Sequence, residues 1–283
     1  MAIELGVKPT GMVEIVAGSQ RRRFSNLVLD NGWASLLSRM GSSDGDMVPR
    51  WLSLGTGESE PEQSQEGLEQ REASTEREAV GVEYGGFVSA SSLTAYSEAM
   101  VQFEYGPGEL TGEWTELGLS YGSGYAEPYN RALIRDENGV PTPLLVMSDE
   151  PVTAYIRLRL YMGGWGRSID LGGRDNGAFQ GHTGIISLQG GMADSENGIW
   201  RKGFPVYGAE MGGVSSQLEG LYPEGLTAKH YIVIDPSVGA GYSQIVFYAR
   251  GGLPMVRLNF SPSIQKPTGV SLHFRARISV IRE

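Results

Sequence analysis

One short motif in the sequence has the spacing of a catalytic site. Residues 118–122, GLSYG, match G-x-S-x-G, which in hydrolases places a serine nucleophile on a strained turn between a strand and a helix. A strand is expected before Ser120, but glycines and Pro128 follow it, and no helical pattern does. The histidines that could serve as its base are widely separated: His182, His230 and His273. We therefore expect Ser120 to be an ordinary residue and the protein not to be an enzyme.

Carboxylates are abundant, but their spacing does not define a catalytic pair or a metal site. Glu113 and Glu116 flank a predicted strand and are expected at the surface, and residues 58–78 hold eight glutamates in a predicted polar loop or short solvated helix. Calcium ligation is an alternative for acidic residues in Gly-rich segments, although aspartates there are commonly turn formers. These residues are Asp170, Asp175, Asp194 and Glu196. Without cysteine, thiolate metal sites and disulfides are excluded, and we expect neither a metal nor a cofactor.

Aromatic residues in loop-like segments are the other candidates for binding. Flat rings bury a large area at a small entropic cost and suit carbohydrate or protein recognition. The candidates for glycan binding are Trp165, Trp200 and Tyr207. The alternative is that these rings cover the ends of a β-sandwich.

Composition favours an all-β protein. The chain has 283 residues, of which 41 are glycine, about twice the average usage and typical of many short strands joined by tight turns. Its net charge of −10 disfavours a nucleic-acid partner. The sequence shows no signal-peptide pattern and no run of 18 apolar residues, so we expect neither secretion by that route nor a membrane partner.

Alternation of apolar and polar residues predicts the strands that would carry an interface. Residues 12–17 and 22–29 predict a hairpin, and the spacing of apolar residues over 33–40 predicts one short N-terminal helix. Residues 153–162 and 270–281 alternate most regularly, and each presents an outward Arg-x-Arg. We therefore predict two β-sandwich-like modules, and name as candidate interface residues Arg157, Arg159, Arg275 and Arg277.

An ordered set of motifs over about residues 20–162 resembles a group of tailed-bacteriophage tail, tail-fibre and baseplate structural proteins. FSNLVLDNG (24–32) resembles its N-x-x-x-D-x-G-L opening, and LGTG (54–57) with Glu60-Pro61 resembles its G-x-G-x-x-x-P. The later motifs follow in order: FEYGPG (103–108) with WTELGL (114–119), YNRALIRD (129–136), SDEP (148–151) and YIRLRLY (155–161). The Glu-rich segment 58–78 is more charged than that pattern, and residues 163–283 have no counterpart in it.

The resemblance implies a virion component assembled in the host cytoplasm, without catalytic residues. We expect an N-terminal virion-protein module (1–162) and a C-terminal module with Gly-rich loops (163–283). The expected partners are other virion structural proteins and further copies of the chain, bound by interface burial. Two alternatives stay open: a receptor-binding fibre or spike that recognises a host surface glycan, and a capsid decoration protein.

Overall fold

The computed structural model describes residues 2–41, 47–89, 94–163, 168–170, 183–188, 200, 208–211, 214–215, 217–222, 227–234, 240–249, 253–266 and 272–282. They form mainly β-strands, with one α-helix. The strands up to residue 163 are β1 (Ala2–Ala17), β2 (Gln20–Val28), β3 (Trp51–Gly55), β4 (Arg77–Glu78), β5 (Gly81–Ser89), β6 (Thr94–Tyr105), β7 (Gly112–Trp114), β8 (Glu116–Gly122), β9 (Ala126–Pro128), β10 (Asn130–Leu133), β11 (Leu144–Val146) and β12 (Val152–Gly163).

The later strands are β13 (Ser168–Asp170), β14 (Thr183–Leu188), β15 (Gly208–Met211), β16 (Val214–Ser215), β17 (Gln217–Tyr222), β18 (Thr227–Ile234), β19 (Ala240–Ala249), β20 (Leu253–Lys266) and β21 (Leu272–Arg282). Two short 3-10 helices, Ala73–Thr75 and Ser123–Tyr125, lie in loops. The helix described is not long and apolar enough to cross a membrane.

Helix α1 (Asp30–Gly41) confirms the helical spacing of the sequence and begins three residues before the predicted start at Trp33. Leu36 and Leu37 are buried, as expected for its apolar face. Asp30 in the first turn and Arg39 in the last complement the helix dipole. Gly32 is required for packing, because a Cβ there would collide with the backbone carbonyl of Tyr129.

The long strand β1 lies at the centre of the main sheet. It pairs with β12 along residues 6–17, while its other edge pairs with β2 over residues 11–17 and, in parallel, with β21 over residues 2–7. The sheet continues from β2 through β10, β8 and β3 to β4, and from β21 through β18 to β17. Beyond β12 it continues through β6 to β5.

The topology confirms a mostly β protein with one helix, but its sheets are arranged differently from the two expected sandwiches. The 13-stranded main sheet is a curled, largely antiparallel half-barrel, accompanied by a six-stranded and a two-stranded sheet, and not clearly two sandwiches. The reason is the length of β1, which extends ten residues before the predicted start at residue 12 and thereby pairs with a strand from the other end of the chain. Period-two alternation identifies a half-buried strand but does not specify its neighbour.

The core lies on one side of the β1–β12–β6 part of the sheet. The alternation predicted for residues 153–162 is confirmed, since Ala154, Ile156, Leu158 and Leu160 are fully buried. Apolar residues from β1 and β6 pack into the same cluster, among them Val13, Ile15, Ala99, Val101 and Phe103. The intervening residues of these strands therefore project from the opposite side.

Candidate protein-interaction surface

The side of the sheet opposite the core carries a mixed surface of charged, aromatic and methionine residues. Pairing registers align these positions across β5, β6, β12, β1 and β2. We call this surface the outer face, and its charged and large residues are Lys8, Met12, Glu14, Arg21, Arg23, Glu83, Phe87, Tyr96, Glu98, Met100, Glu104, Tyr155, Arg157, Arg159 and Tyr161. Each is half-buried or exposed, so the surface is accessible within the described part of the chain.

Arg157 and Arg159 project from this face, as the alternation predicted. The Nε atom of Arg159 lies 2.5 Å from Oε2 of Glu98, and Nε of Arg157 lies 3.5 Å from Oε1 of the same carboxylate. The Arg159 guanidinium also lies 4.5 Å from the ring centroid of Tyr96. One carboxylate thus balances two arginines, which holds the guanidinium groups in place at the surface.

Three aromatic rings form a row across β5, β6 and β12. The centroids of Phe87 and Tyr96 are 6.0 Å apart with an interplanar angle of 29°, and those of Tyr96 and Tyr161 are 5.3 Å apart at 53°. Cross-strand contacts of this kind stabilise neighbouring strands. Phe87 nevertheless remains 46% exposed, so part of the row faces solvent.

A shallow groove of about 320 Å³ runs along the same face. It is lined by Met12, Glu14, Arg23, Met100, Tyr155 and Arg157. Glu14 is paired with Arg21 at 2.6 Å, which leaves Arg23 and Arg157 as the cationic part of the lining. Two methionines and a tyrosine beside two arginines provide adaptable apolar contacts together with a preference for anionic groups.

A buried ion pair supports a long acidic loop, residues 58–76, on another part of the main sheet. Glu116 at the start of β8 and Arg131 in β10 are both fully buried, with 2.7 Å between Oε2 of Glu116 and Nε of Arg131. Glu116 also accepts hydrogen bonds from the backbone amides of Gly57 at 3.1 Å, Glu69 at 3.1 Å and Gln70 at 2.7 Å. The expectation that Glu116 lies at the surface is therefore wrong, because four donors from three separate segments enclose its carboxylate.

Arg131 also forms hydrogen bonds and an ion pair with side chains of the same loop. Its guanidinium donates to Oε1 of Gln65 at 2.8 Å and Oγ of Ser59 at 3.2 Å, and lies 3.2 Å from Oε2 of Glu69. Hydrogen bonds from Ser59, then from the Glu58 amide, and the charge of Arg131 hold the pKa of Glu69 below its ordinary value. Residues 58–76 thus form a loop of fixed geometry that contains the 3-10 helix Ala73–Thr75, and residues 77–78 form β4, where the sequence left open a loop or a helix.

The C-terminal end of the loop is held by a second group of contacts. Glu76 accepts from the amides of Gly124 at 2.9 Å and Tyr125 at 3.0 Å, and is paired with Arg71 at 2.7 Å. The Tyr105 hydroxyl donates to the carbonyl of Thr75 at 2.8 Å, and burial raises the pKa of that tyrosine. Both ends of the segment are therefore attached to strands of the main sheet.

Residues of three sequence motifs meet at this ion pair. A Cβ at Gly55 would lie 2.7 Å from Oε1 of Glu116, and one at Gly57 would lie 2.6 Å from the same atom. A Cβ at Gly118 would lie 2.5 Å from the carbonyl of Asn130. Glycines at these places are needed so that the loop, Glu116 and Arg131 can approach one another. The motifs at residues 54–57, 114–119 and 129–136 are therefore explained by packing around this buried ion pair.

Ser120 does not have the geometry of a nucleophile elbow. It is buried within β8, and its hydroxyl donates to the carbonyl of Gly122 at 3.0 Å. A catalytic serine of the G-x-S-x-G type needs an exposed position on a strand-to-helix turn. In the described part of the chain, no group of three or more histidine, cysteine or acidic side chains is arranged to hold a metal.

The remaining candidate residues are placed as follows. Arg275 and Arg277 lie on β21, in register with Tyr231 and Lys229 of β18, and their side chains are not among those described. Trp165 and Tyr207 lie outside the described residues. Trp200 is 1% exposed and its Nε1 donates to the Ser97 carbonyl at 3.2 Å. Its expected exposed position is wrong, because the ring packs into the core.

Sequence reasoning did not identify the Glu116–Arg131 pair or the edge strand β5 that carries Phe87. Three sequence features together could have indicated the pair: the Gly-x-Gly at residues 55–57, the Glu-x-Gly at residues 116–118, and the arginine beside apolar residues at position 131.

In comparisons with known proteins, no protein family, no curated protein and no solved structure matches the chain.

Proposed function

We propose that the protein is a structural component of a bacteriophage virion, associated with the tail, collar, baseplate or fibre attachment, and that it acts through protein–protein assembly. The observation that carries this proposal is the outer face, a five-strand surface with four aromatic rings, methionines and paired arginines. Aromatic residues, methionine and arginine are the residue types enriched in protein interfaces.

The fixed acidic loop supports the same proposal. Assembly proteins gain affinity when the contacting segments are ordered before they bind, because less conformational entropy is lost. Two buried charges and several backbone hydrogen bonds order this loop in the isolated chain. The resemblance of residues 20–162 to phage tail proteins supplies the biological setting, in a virion assembled in the host cytoplasm.

The proposal includes the two modules and the partners that the sequence predicts. Residues 1–162 would be the virion-protein module and residues 163–283 a second, sandwich-like module. The partners would be other virion structural proteins and further copies of the chain. Neither a cofactor nor a reaction is part of this function, and the same features are compatible with a capsid decoration protein.

A receptor-binding fibre or spike is the second candidate, and the aromatic row favours it. Phe87, Tyr96 and Tyr161 present a row of contacting rings beside Arg159 and Glu98, a combination that also suits a host surface glycan. Glycan-array binding that is lost on Phe87→Ala and Tyr161→Ala, with unchanged stability, would support this candidate over assembly alone.

Quantitative mass spectrometry of gradient-purified phage particles from an infected or induced culture tests the assembly proposal. We expect the protein in the tailed-particle fraction at a fixed ratio to the major tail protein. Recovery only from the unassembled fraction of the lysate would contradict the proposal. A non-virion phage enzyme quantified in the same fractions serves as the control for carry-over.

A further inference from the structure

The charge of the outer face differs from that of the whole chain. Among the side chains that the structure describes, the face carries Lys8, Arg21, Arg23, Arg157 and Arg159 against Glu14, Glu83, Glu98 and Glu104, five cations and four anions, while the chain as a whole has a net charge of −10. Glu14 and Glu98 are already used by Arg21 and by the Arg157–Arg159 pair. Among the described residues, Arg23 and Lys8 form no ion pair.

The acidic loop has the opposite character. Residues 58–70 contain five glutamates and neither lysine nor arginine. Glu60 is paired with Arg135 and Glu69 with Arg131, so Glu58, Glu62 and Glu66 remain as exposed carboxylates without an ion pair in the described part of the chain. The backbone that carries them is held at Gly57, Glu69 and Gln70 by Glu116, which presents the carboxylates in a fixed arrangement.

We propose that the acidic loop of one copy of the chain docks on the outer face of a second copy. Glu62 and Glu66 would contact the groove at Arg23 and Arg157, where the loop's carboxylates meet cationic and apolar lining. Within one chain the acidic loop is attached to β3, β8 and β10. In the described residues, no ion pair joins a residue of this loop to a residue of the outer face. The contact therefore joins two copies.

Two glycines on β5 leave space for such an approach. Gly81 and Gly85 project toward the outer face, and a Cβ at either position would meet nothing within 4 Å. Neither has a positive φ that would require glycine. Glycine within a strand commonly marks the close approach of another backbone. A partner loop has room beside Glu98 and Arg159 at these positions.

The geometry of this contact has a defined consequence for assembly. Because different surfaces of the two copies meet, the contact is heterologous, and its repetition generates a ring or a filament. The inference rests on the proposed assembly role and names the partner of that role, a second copy of this chain.

Charge reversal on each side, alone and combined, tests the inference by sedimentation velocity. Arg23→Glu with Arg157→Glu reverses the face, and Glu62→Lys with Glu66→Lys reverses the loop. We expect the wild-type chain to self-associate at low salt and to dissociate toward about 1 M salt, where the Debye length is about 3 Å. Each two-substitution variant should lower the association constant by about tenfold or more.

Complementation separates this contact from general damage. The four-substitution variant should associate again, because Lys on the loop then meets Glu on the face. An equimolar mixture of the two reversed variants should also associate, because each loop then meets a face of opposite charge on the other variant. Glu113→Lys with Glu137→Lys, two exposed positions outside both surfaces, is the matched control and should associate like the wild type.

A wild-type chain that stays monomeric at every concentration and salt would overturn the inference. So would reversed variants that associate normally, or a mixture that does not restore association, since the two surfaces then do not meet. Detection in purified particles is measured independently, so a face that binds a glycan or another virion protein would refute this contact and leave the assembly role intact.

Discussion

Replacing Glu116 with glutamine should release the acidic loop. The carboxylate accepts from three backbone amides and from Arg131, and both of its oxygens are used. In Glu116→Gln one oxygen becomes an NH2 group, which opposes either the donors of Glu69 and Arg131 or those of Gly57 and Gln70. The substitution also leaves the Arg131 charge without its buried partner. The change therefore alters hydrogen bonding and charge with almost no change in volume.

The expected cost follows from the burial of the pair. Removing one member of a buried ion pair costs about 3–5 kcal/mol. Here the loop can open to water, and Glu69 still lies 3.2 Å from Arg131, so we expect the lower end, about 3 kcal/mol. Arg131→Met should cost less, about 2 kcal/mol, because the three amides still satisfy the carboxylate and Ser59, Gln65 and Glu69 can turn to solvent.

Hydrogen exchange at the amides of Gly57, Glu69 and Gln70 measures this opening directly, and urea unfolding measures the global effect. A loss of about 3 kcal/mol corresponds to roughly hundredfold faster exchange when opening limits protection. Glu62→Gln, an exposed change in the same loop, is the control and should stay within about 0.5 kcal/mol. A cost below about 1 kcal/mol for Glu116→Gln, or a larger cost for Arg131→Met, would refute the reasoning.

Three further predictions concern other parts of the molecule. Hydrogen bonds and nearby arginines hold the pKa values of Glu69, Glu109 and Asp136 below their ordinary values of 4.5, 4.5 and 3.8. Their contribution to stability is therefore complete above those values and is lost as the pH falls through the lower folded pKa values, so urea midpoints should decrease below about pH 4.5 and stay level above it. Gly32→Ala should destabilise by about 1–3 kcal/mol because of the collision with Tyr129, whereas Gly85→Ala, which meets open space, should be neutral or stabilising in thermal unfolding. Trp200→Ala should lower the free energy of unfolding by about 3–5 kcal/mol, and equal stability of this variant and the wild type would contradict the burial of the ring.

Local patterns predicted the elements whose signals are local. The helix follows from the apolar spacing over residues 33–40, and β12 follows from an alternation that the core enforces. The outward direction of Arg157 and Arg159 follows from the same alternation, because successive side chains of a strand point to opposite faces. These features depend on residues within one turn or one strand.

Features that depend on distant residues were not predictable in this way. Glu116 lies in a strand whose two faces are both buried, so no alternation separates it from its neighbours, and its partners are residues 57, 69, 70 and 131. Trp200 lies in a Gly-rich segment that suggests an exposed loop, yet its partner is Ser97 on β6. The neighbour of β1 was likewise not specified by alternation, which is why two separate modules were expected.

The parallel pairing of β1 with β21 has a consequence for how the chain folds. Residues 2 and 277 are register partners, and Arg282 at the end of β21 donates to the carbonyl of Val28 and to Asp30, where β2 passes into the helix. The β1–β2 hairpin can form as soon as it is synthesised. The edge of residues 2–7 of β1, in contrast, stays open until residues 272–282 are available. Closing so long a loop is entropically costly and slow. During synthesis this edge stays open after the β2 and β12 pairings of β1 can form, so it is exposed to pairing with other strands and aggregation competes with folding until β21 is made.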